Sequence, residues 1–540
     1  MPAAAPLTKL NSLGDRYVAE LFDFNPGEAR ASGEHSYDGR LGPVGAGATA
    51  RRVEQLDELA AELATVTSRH VEERADEITL RQRLALERFH LVELDAARRN
   101  PLAALFRGAD PQPYCTHGYA PVPARAEGLI RQLAQLPEWL DAALDELGDS
   151  LDSGPRQIAI AAARGLAFFY SEGVDSALPL PEHSDLRAAL HARAATAAQA
   201  CTRYADTIES RHAHPDAALG EARFLALLNA QEGVSESLAG LRAIADAEMS
   251  RLRDQFEKVS RTVSPDGGIA RAVATMEDDH PSAGSLIDEA AAGLERLAQF
   301  WSDSNALTVP GGHCGVTASP PHLRHVTAAL DPAGTLASPE VESNYIVTPV
   351  DASMNQQQAE QWLRSLNRWT LENIAVHEVY PGHFVHFAHA RGQRSRLRKV
   401  GFVSGFGEGW AHYTEQLAIE QGMADDRPLL HLAQLQDALL RACRFRATLM
   451  IHTEGRSVDD ATAMFVKNAS MPEYPAHREA ERATYDPMYL AYTYGKLQIL
   501  EWRAELQRRP GFSLRRFHDT LLGSGFPPLA AVRELALSPS

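Results

Sequence analysis

Four side chains that suit metal-dependent hydrolysis lie within ten positions of the chain. The segment AVHEVYPGHFVH, residues 375–386, contains His377, Glu378, His383 and His386. Neutral imidazoles are common zinc ligands, and a glutamate beside them can remove a proton from a water molecule that the ion activates. The segment therefore predicts a metal site in which Glu378 acts as a general base.

The spacing of the histidines departs from the familiar HExxH arrangement, in which two histidines four positions apart share one helical face. His377 and His383 are six positions apart because Pro381 and Gly382 are inserted between them. On an undistorted helix, six residues leave two side chains about 120° apart, too far round to bind one ion. Proline interrupts the helical hydrogen bonds and glycine tolerates unusual torsions, so we predict a distortion at Tyr380–Gly382 that turns His383 back towards His377.

A second geometry needs no distortion of the helix. His383 and His386 are three positions apart, so both could face one side of a helix and bind the ion together. In that arrangement His377 is not a ligand. In the first arrangement, His386 is instead a group behind the ligands that orients them. The sequence leaves both arrangements open.

A third ligand is predicted from the segment GFGEGWAHYTE, residues 405–415. Glu408 lies 25 residues after His383 and shares one helical face with His412 and Glu415, at the spacing i, i+4, i+7. Zinc peptidases with histidine and glutamate ligands take their third ligand from a glutamate on a following helix. Glu408 is therefore the expected third ligand, and His412 and Glu415 are expected to orient the ligands from behind.

The elements that must position these residues are predicted to be mainly helical. Ala, Leu, Glu, Arg and Gln dominate, and apolar residues recur at helical spacing. Short β-prone runs between about residues 307 and 350 predict a small β element before the active helix. We expect a mainly α, large helical, cleft-forming fold. Residues 1–540 are expected to be a single large unit that allows two lobes, an N-terminal helical lobe at about 1–300 and a metal-site lobe at about 301–540.

Composition restricts the partners and the compartment. The 540 residues carry a net charge of −18, which argues against binding to nucleic acid or to an anionic membrane. The four cysteines form no close pair, so a thiolate metal site is excluded and a reducing cytoplasm is favoured. The start of the chain, MPAAAPLTKLNSLGDRY, lacks the long apolar run of a secretory signal. We therefore predict a cytoplasmic protein; the oligomeric state is not indicated.

Several segments carry a resemblance to a known family. HEVYPGH, FGEGWAHYTEQ and YLAYTYGKLQILEWR (Tyr489–Arg503) resemble the HExxPGH signature proteins of the bacterial domain of unknown function 885 family. The opening NPGEARASGEHSYDGRL, Asn25–Leu41, is similar to the N-terminal pattern of the same family. The likeness runs from near residue 12 to near residue 505, almost the whole chain. The family is similar in organisation to helical, zincin-type metallopeptidases related to the thermolysin-like group.

The resemblance implies a peptidase-like site with one zinc ion. His377, His383 and Glu408 would bind the ion and Glu378 would be the general base. The implied substrates are short peptides, because a helical cleft excludes folded proteins. Two alternatives stay open: a non-catalytic peptide-binding protein that retains the zincin-like fold, and a metal-dependent hydrolase that acts on other amides or on esters.

The resemblance also assigns roles to a strand and to a late tyrosine. In such peptidases, an edge strand beside the active helix pairs with an extended substrate. The expected strand consists of Asn344, Tyr345, Ile346, Val347 and Thr348, followed by Pro349, which suits an edge. Helical metallopeptidases use a late tyrosine or histidine to donate a hydrogen bond to the oxyanion of the tetrahedral intermediate. Tyr492 is the preferred candidate here, ahead of Tyr494.

Overall fold

The computed structural model describes residues 9–214, 218–320, 324, 326–351 and 353–538. Most of these residues are helical, and the strands are few and short. The prediction of a mainly α fold with a small β element before the active helix is therefore confirmed. The first eight residues, which contribute to the prediction that no signal is present, lie outside the described residues.

The chain divides into two compact units. The first unit combines Met1–Ala217 with Ala333–Glu342 and Arg391–Gly401, and the second combines Ala218–Pro332 with Ser343–Ala390 and Phe402–Ser540. Residues 218–300 are thus part of the second unit, although the sequence predicts them in the N-terminal lobe.

The first unit is helical apart from one pair of short parallel strands. Its core forms where α8 (Val122–Glu146) and α9 (Ser153–Phe168) pack on α11 (Asp185–Ser210). A buried stripe of small side chains on α11 lets neighbouring helices approach closely. Its α-helices are α1 (Lys9–Phe24), α2 (Pro26–Ala31), α3 (Ala46–Leu63), α4 (Val71–Arg88), α5 (Ala96–Arg99), α6 (Pro101–Gly108), α7 (Gln112–Cys115), α8 (Val122–Glu146), α9 (Ser153–Phe168), α10 (Val174–Ala177), α11 (Asp185–Ser210) and α19 (Arg396–Lys399). A 3-10 turn (His35–Tyr37), two π-helical turns (Phe89–Glu93 and Phe169–Gly173) and the strands β1 (Ser150–Asp152) and β2 (His212–His214) complete it.

The second unit contains every residue of the predicted metal site. Its core lies where four helices meet: α13 (Leu238–Val263), α21 (Pro428–Thr453), α22 (Val458–Ala469) and α23 (Glu473–Tyr485). Its helices are α12 (Glu221–Glu232), α13 (Leu238–Val263), α14 (Gly268–Glu277), α15 (Leu286–Ser304), α16 (Gln356–Ser365), α17 (Arg368–Glu378), α18 (His383–Ala390), α20 (Ser404–Glu420), α21 (Pro428–Thr453), α22 (Val458–Ala469), α23 (Glu473–Tyr485), α24 (Ala491–Gln507), α25 (Leu514–Gly523) and α26 (Leu529–Leu537). Its strands are β3 (Cys314–Ala318), β4 (Ala328–Asp331) and β5 (Ser343–Val347).

The order of the three strands corrects one prediction. The order is β3-β5-β4, with β5 parallel to β3 and antiparallel to β4. The run Asn344–Thr348 is therefore not an edge strand: β5 has a partner on both sides, and the Thr348 amide that follows it donates to the Thr327 carbonyl oxygen. Two paired sides leave no backbone groups of this strand for a substrate, so the prediction is wrong.

Helices α20 and α24 approach each other through glycines. A Cβ atom built on Gly409 would lie 2.7 Å from the Cα atom of Gly495. A Cβ atom on Gly495 would overlap the carbonyl oxygen of Gly405. Because no larger residue fits, these glycines set the distance between the helix that carries Glu408 and the helix that carries Tyr492.

Substitution of Gly495 by alanine tests this contact. We expect Gly495→Ala to destabilise the protein by about 2 kcal/mol or more, since the added methyl group must push two backbones apart. Gly293→Ala, inside α15, is the matched control, because the nearest atom to its Cβ position is a side-chain nitrogen 3.8 Å away. The control should be neutral or stabilising by about 0.5–1 kcal/mol. Equal effects on thermal unfolding would contradict the close approach.

Candidate metal centre

The histidine segment is divided by a break between two helices. The side chain of Asn367 caps the start of α17 by accepting a hydrogen bond from the Thr370 amide. The helix ends at Glu378, and α18 begins at His383. The predicted distortion at Tyr380–Gly382 is therefore confirmed.

Two contacts hold the break in place. A Cβ atom at Gly382 would overlap the carbonyl group of His377, so only glycine allows this approach. The indole Nε1 of the buried Trp410 donates a hydrogen bond of 3.0 Å to the carbonyl oxygen of Pro381. The break therefore fixes where α18 starts relative to the end of α17.

The break brings His377 and His383 to the same carboxylate. Their Nε2 atoms lie 3.4 and 3.3 Å from Glu408 Oε2. The ligand atoms of the three residues all lie within 4.8 Å of one another, and among the described residues no other group of three His, Cys, Asp or Glu side chains meets that condition. The three predicted ligands thus come together, and they could hold one metal ion.

A buried carboxylate orients His377 from behind. His377 Nδ1 lies 2.7 Å from Glu415 Oε1. Because a carboxylate oxygen only accepts, Nδ1 is the donor, and Nε2 is directed to the Glu408 side. Arg441 of α21 donates to the same carboxylate, at 3.0 and 3.1 Å, and His412 Nδ1 lies 3.4 Å from its Oε2 atom. The orienting role predicted for Glu415 matches this geometry. His412 contacts Glu415, so its link to the candidate ligands runs through that carboxylate.

Burial and charge act in opposite directions on these groups. Burial would raise the pKa of Glu415, but the charge of Arg441 and the hydrogen bonds of His377 and His412 hold it well below its usual value. Burial would also raise the pKa of Glu408, and the charges and hydrogen bonds of His383 and His377 lower it strongly. Both carboxylates are therefore ionised, as a cation-binding site requires.

His377 shows the complementary shift. Burial and the nearby Arg441 lower its pKa, but hydrogen bonds to Glu408 and Glu415 outweigh them and raise it to about 9. In the metal-free protein, a proton on this imidazole therefore offsets the negative charge of the two glutamates. A bound cation would replace that proton.

Glu378 is held by the edge of the sheet. Its Oε2 atom accepts a hydrogen bond of 2.8 Å from the Leu330 amide of β4. The side chain is partly buried and follows His377 directly on α17. The strand next to the active helix is therefore β4, and its outer edge reaches the predicted general base.

His386 lies away from the cluster. Its Nε2 atom donates to the carbonyl oxygen of Gly525 at 2.7 Å, and its ring packs against Phe406 and Phe526. Burial lowers its pKa to about 3, so the ring is neutral. The alternative in which His383 and His386 bind the ion is not supported, because His386 is turned into an aromatic core.

The two late tyrosines occupy different surroundings. The ring of Tyr492 stacks on that of His377, with centroids 6.4 Å apart, and its pKa is raised to about 12 by burial and by Glu408. The ring of Tyr494 is buried against Phe445. Of the two, Tyr492 is the one that lies beside the cluster.

Arg441 is a site residue that sequence reasoning missed. It lies 26 positions after Glu415, inside a long helix with several other arginines, so no local spacing distinguishes it. Only the packing of α21 against α17 and α20 brings its guanidinium group to Glu415.

The comparisons with known proteins agree with this description of the fold. The chain belongs to the family described as "Bacterial protein of unknown function (DUF885)", whose model matches residues 26–535. No curated protein matches it significantly.

None of the described helices combines the length and the apolar character that crossing a bilayer requires.

Two solved structures share the fold at low sequence identity. One is "a putative lipoprotein of unknown function from Shewanella oneidensis", with a TM-score of 0.78 and 19% identity over 98% of this chain and 100% of that chain. The other is "the putative lipoprotein from Colwellia psychrerythraea", with a TM-score of 0.81 and 16% identity over 98% of both chains. At these identities the likeness establishes the fold alone.

The buried pair of Arg441 and Glu415 can be tested by a double-mutant cycle in chelator-treated protein. We expect Arg441→Met to cost about 3–5 kcal/mol, because it leaves a buried carboxylate without its strongest partner. The double variant Arg441→Met/Glu415→Gln should recover part of that loss in urea unfolding. Arg261→Met, which removes an exposed partner of Glu257, should cost no more than about 0.5 kcal/mol. Strictly additive effects at Arg441 and Glu415 would contradict the coupling.

Proposed function

We propose that this member of the family is a zinc-dependent peptidase that hydrolyses short peptides. One observation carries the proposal: the separations of 3.4 and 3.3 Å between the Nε2 atoms of His377 and His383 and Glu408 Oε2. Tetrahedral zinc with bonds of about 2.0–2.1 Å has ligand atoms about 3.4 Å apart. Two imidazoles and one carboxylate are also the donor set of catalytic zinc sites that keep a position open for water or substrate.

The residues around the cluster suit the proposed reaction. A bound zinc ion lowers the pKa of a water molecule and polarises a carbonyl group. Glu378 would take the proton from that water on its carboxylate and pass it to the departing amine. The Leu330 amide keeps this carboxylate oriented before a substrate arrives.

Tyr492 would stabilise the negative charge that develops on the substrate oxygen. Its hydroxyl group keeps its proton at neutral pH, because its pKa is raised to about 12, and so it can donate a hydrogen bond. The stacking of its ring on His377 supports a place beside the reacting carbonyl group.

The strand that would pair with the substrate is β4 rather than β5. Neighbouring residues of a strand direct their backbone groups to opposite sides, and Leu330 donates to Glu378 on the side away from β5. Ala328, two positions earlier, has its backbone groups on that same outer side. An extended peptide that pairs there would lie next to the general base.

The two alternatives differ in what they require. A non-catalytic peptide-binding protein would follow if the Pro381–Gly382 insertion separated the histidines, whereas both Nε2 atoms approach Glu408. A hydrolase for esters or other amides would use the same groups, so substrate screening separates it from a peptidase. The net charge of −18 still argues against a nucleic-acid partner.

The cytoplasmic location predicted from the sequence stays a prediction. Both structural relatives are described as putative lipoproteins, and a property of that kind shared by this chain would favour a location outside the cytoplasm. The chemistry proposed for the site is the same in either location.

Metal analysis tests the ligand set. We expect about one zinc ion per chain after dialysis against Zn²⁺, and a marked loss of bound zinc in His377→Ala, His383→Ala and Glu408→Ala. Glu415→Gln should weaken zinc binding by about 10- to 100-fold, because it removes the carboxylate that orients His377. His386→Gln, the control, should keep its zinc. Loss of zinc in this control with retention in His377→Ala would favour the alternative ligand pair.

Replacement of the general base tests catalysis separately. We expect Glu378→Gln to keep its zinc and to lose peptide hydrolysis by roughly 10²- to 10⁴-fold, because no carboxylate remains to take the proton. Glu360→Gln, an exposed glutamate of α16, should hydrolyse peptides like the wild type. A peptide mixture assayed by mass spectrometry, with esters in parallel, gives the measurement. Unchanged hydrolysis in Glu378→Gln would rule out the assigned base.

A further inference from the structure

An exposed aromatic ring lies next to the candidate metal centre. Phe402 is 41% exposed, although it belongs to the compact second unit. It is one of six large apolar side chains that the described residues leave exposed, and the one whose ring contacts a candidate metal ligand. Single exposed apolar side chains are common on protein surfaces, so it is the contact with a candidate ligand that distinguishes Phe402.

The other sides of the ring are fixed by packing. Phe526, which is buried, lies 5.5 Å away between ring centroids, and Phe387 stacks nearly parallel at 6.3 Å. The tip of the ring lies over the backbone of Gly407, where a Cβ atom would overlap it. These neighbours hold the ring of Phe402 in one orientation, and we call its exposed face the wall.

The wall adjoins two of the three candidate ligands. The ring centroids of Phe402 and His383 are 5.7 Å apart, at an interplanar angle of 70°. Gly407, under the tip of the ring, directly precedes Glu408 on α20. Because the ring of Phe402 contacts the ring of His383, a side chain next to a carbonyl group that reaches these ligands could pack against Phe402.

We propose that Phe402 forms an apolar subsite for the side chain of a residue next to the cleaved bond. The inference rests on the proposed peptidase function and adds a substrate class to it: peptides with an aliphatic or aromatic residue at the cleavage position. Phe387 and Phe526 hold the ring in place, and the absence of a side chain at Gly407 leaves it room. The three phenylalanine rings carry no charge, so they offer no partner to a charged side chain of the substrate.

The burial of a leucine-sized side chain against such a wall sets the size of the preference. Apolar pockets of enzymes discriminate between side chains by roughly 10- to 200-fold. We expect the wild-type protein to prefer leucine to serine by about 10- to 100-fold in kcat/KM. The preference should arise on one side of the cleaved bond.

The experiment uses the full chain and two matched pairs of peptides, with leucine or serine on the amino side or on the carboxyl side of the cleaved bond. Phe402→Ala should lose most of the leucine preference, and Phe402→Leu should retain it. Phe106→Ala, which removes a ring that is 65% exposed in the first unit, is the control and should keep the wild-type ratio. Zinc content, measured in every variant, should be unchanged.

A binding measurement separates this proposal from the proposed function. Calorimetry with the Glu378→Gln variant, with and without Phe402→Ala, compares the leucine and serine peptides without hydrolysis. A preference that depends on Phe402 supports the subsite, even if the wild type cleaves no peptide and the peptidase function is wrong. Equal binding of both peptides, absence of binding, or a preference that persists in Phe402→Ala overturns the subsite, even if the wild type hydrolyses peptides.

Discussion

The arrangement of the site depends on one steric constraint, the contact of Gly382 with the carbonyl group of His377. It lets the chain leave α17 and restart as α18 within four residues, so that two histidines six positions apart approach one carboxylate. A continuous helix would have directed them to different sides. The inserted proline and glycine replace the continuous helix of an HExxH motif with a turn. This turn brings the two histidines to one carboxylate, as four-residue spacing brings two histidines to one face of a helix.

Around that turn, the site is stabilised by buried charge. Glu408 faces the two histidines in front, and Glu415, paired with Arg441, supports His377 from behind. Buried charges are costly unless each has a partner, so each of these groups depends on the others for its ionisation state. The cluster that could bind a metal and the core that holds α17, α20 and α21 together are thus parts of one network.

Two different kinds of surface adjoin this network. The outer edge of β4 presents backbone groups and holds Glu378 through the Leu330 amide. Phe402, whose ring contacts that of His383, presents an apolar ring backed by Phe526 and Phe387. Backbone pairing accepts many sequences, whereas a packed apolar wall selects side chains. Together they describe a site that would accept many peptides but favour some residues at one position.

The sequence by itself determined the helical class, the histidine segment and the break within it, because these depend on composition and on local spacing. The choice of Glu408 as the third ligand depends in addition on an analogy with zinc peptidases, and the sequence leaves the pairing of the histidines open. It could not determine what depends on the meeting of distant segments. Strand order was decided by the tertiary structure, which placed β5 in the middle of the sheet, since β-prone runs do not encode their partners. The tertiary structure also turned His386 into an aromatic core and brought Arg441 to Glu415, because packing between helices, and not spacing within one, sets those contacts.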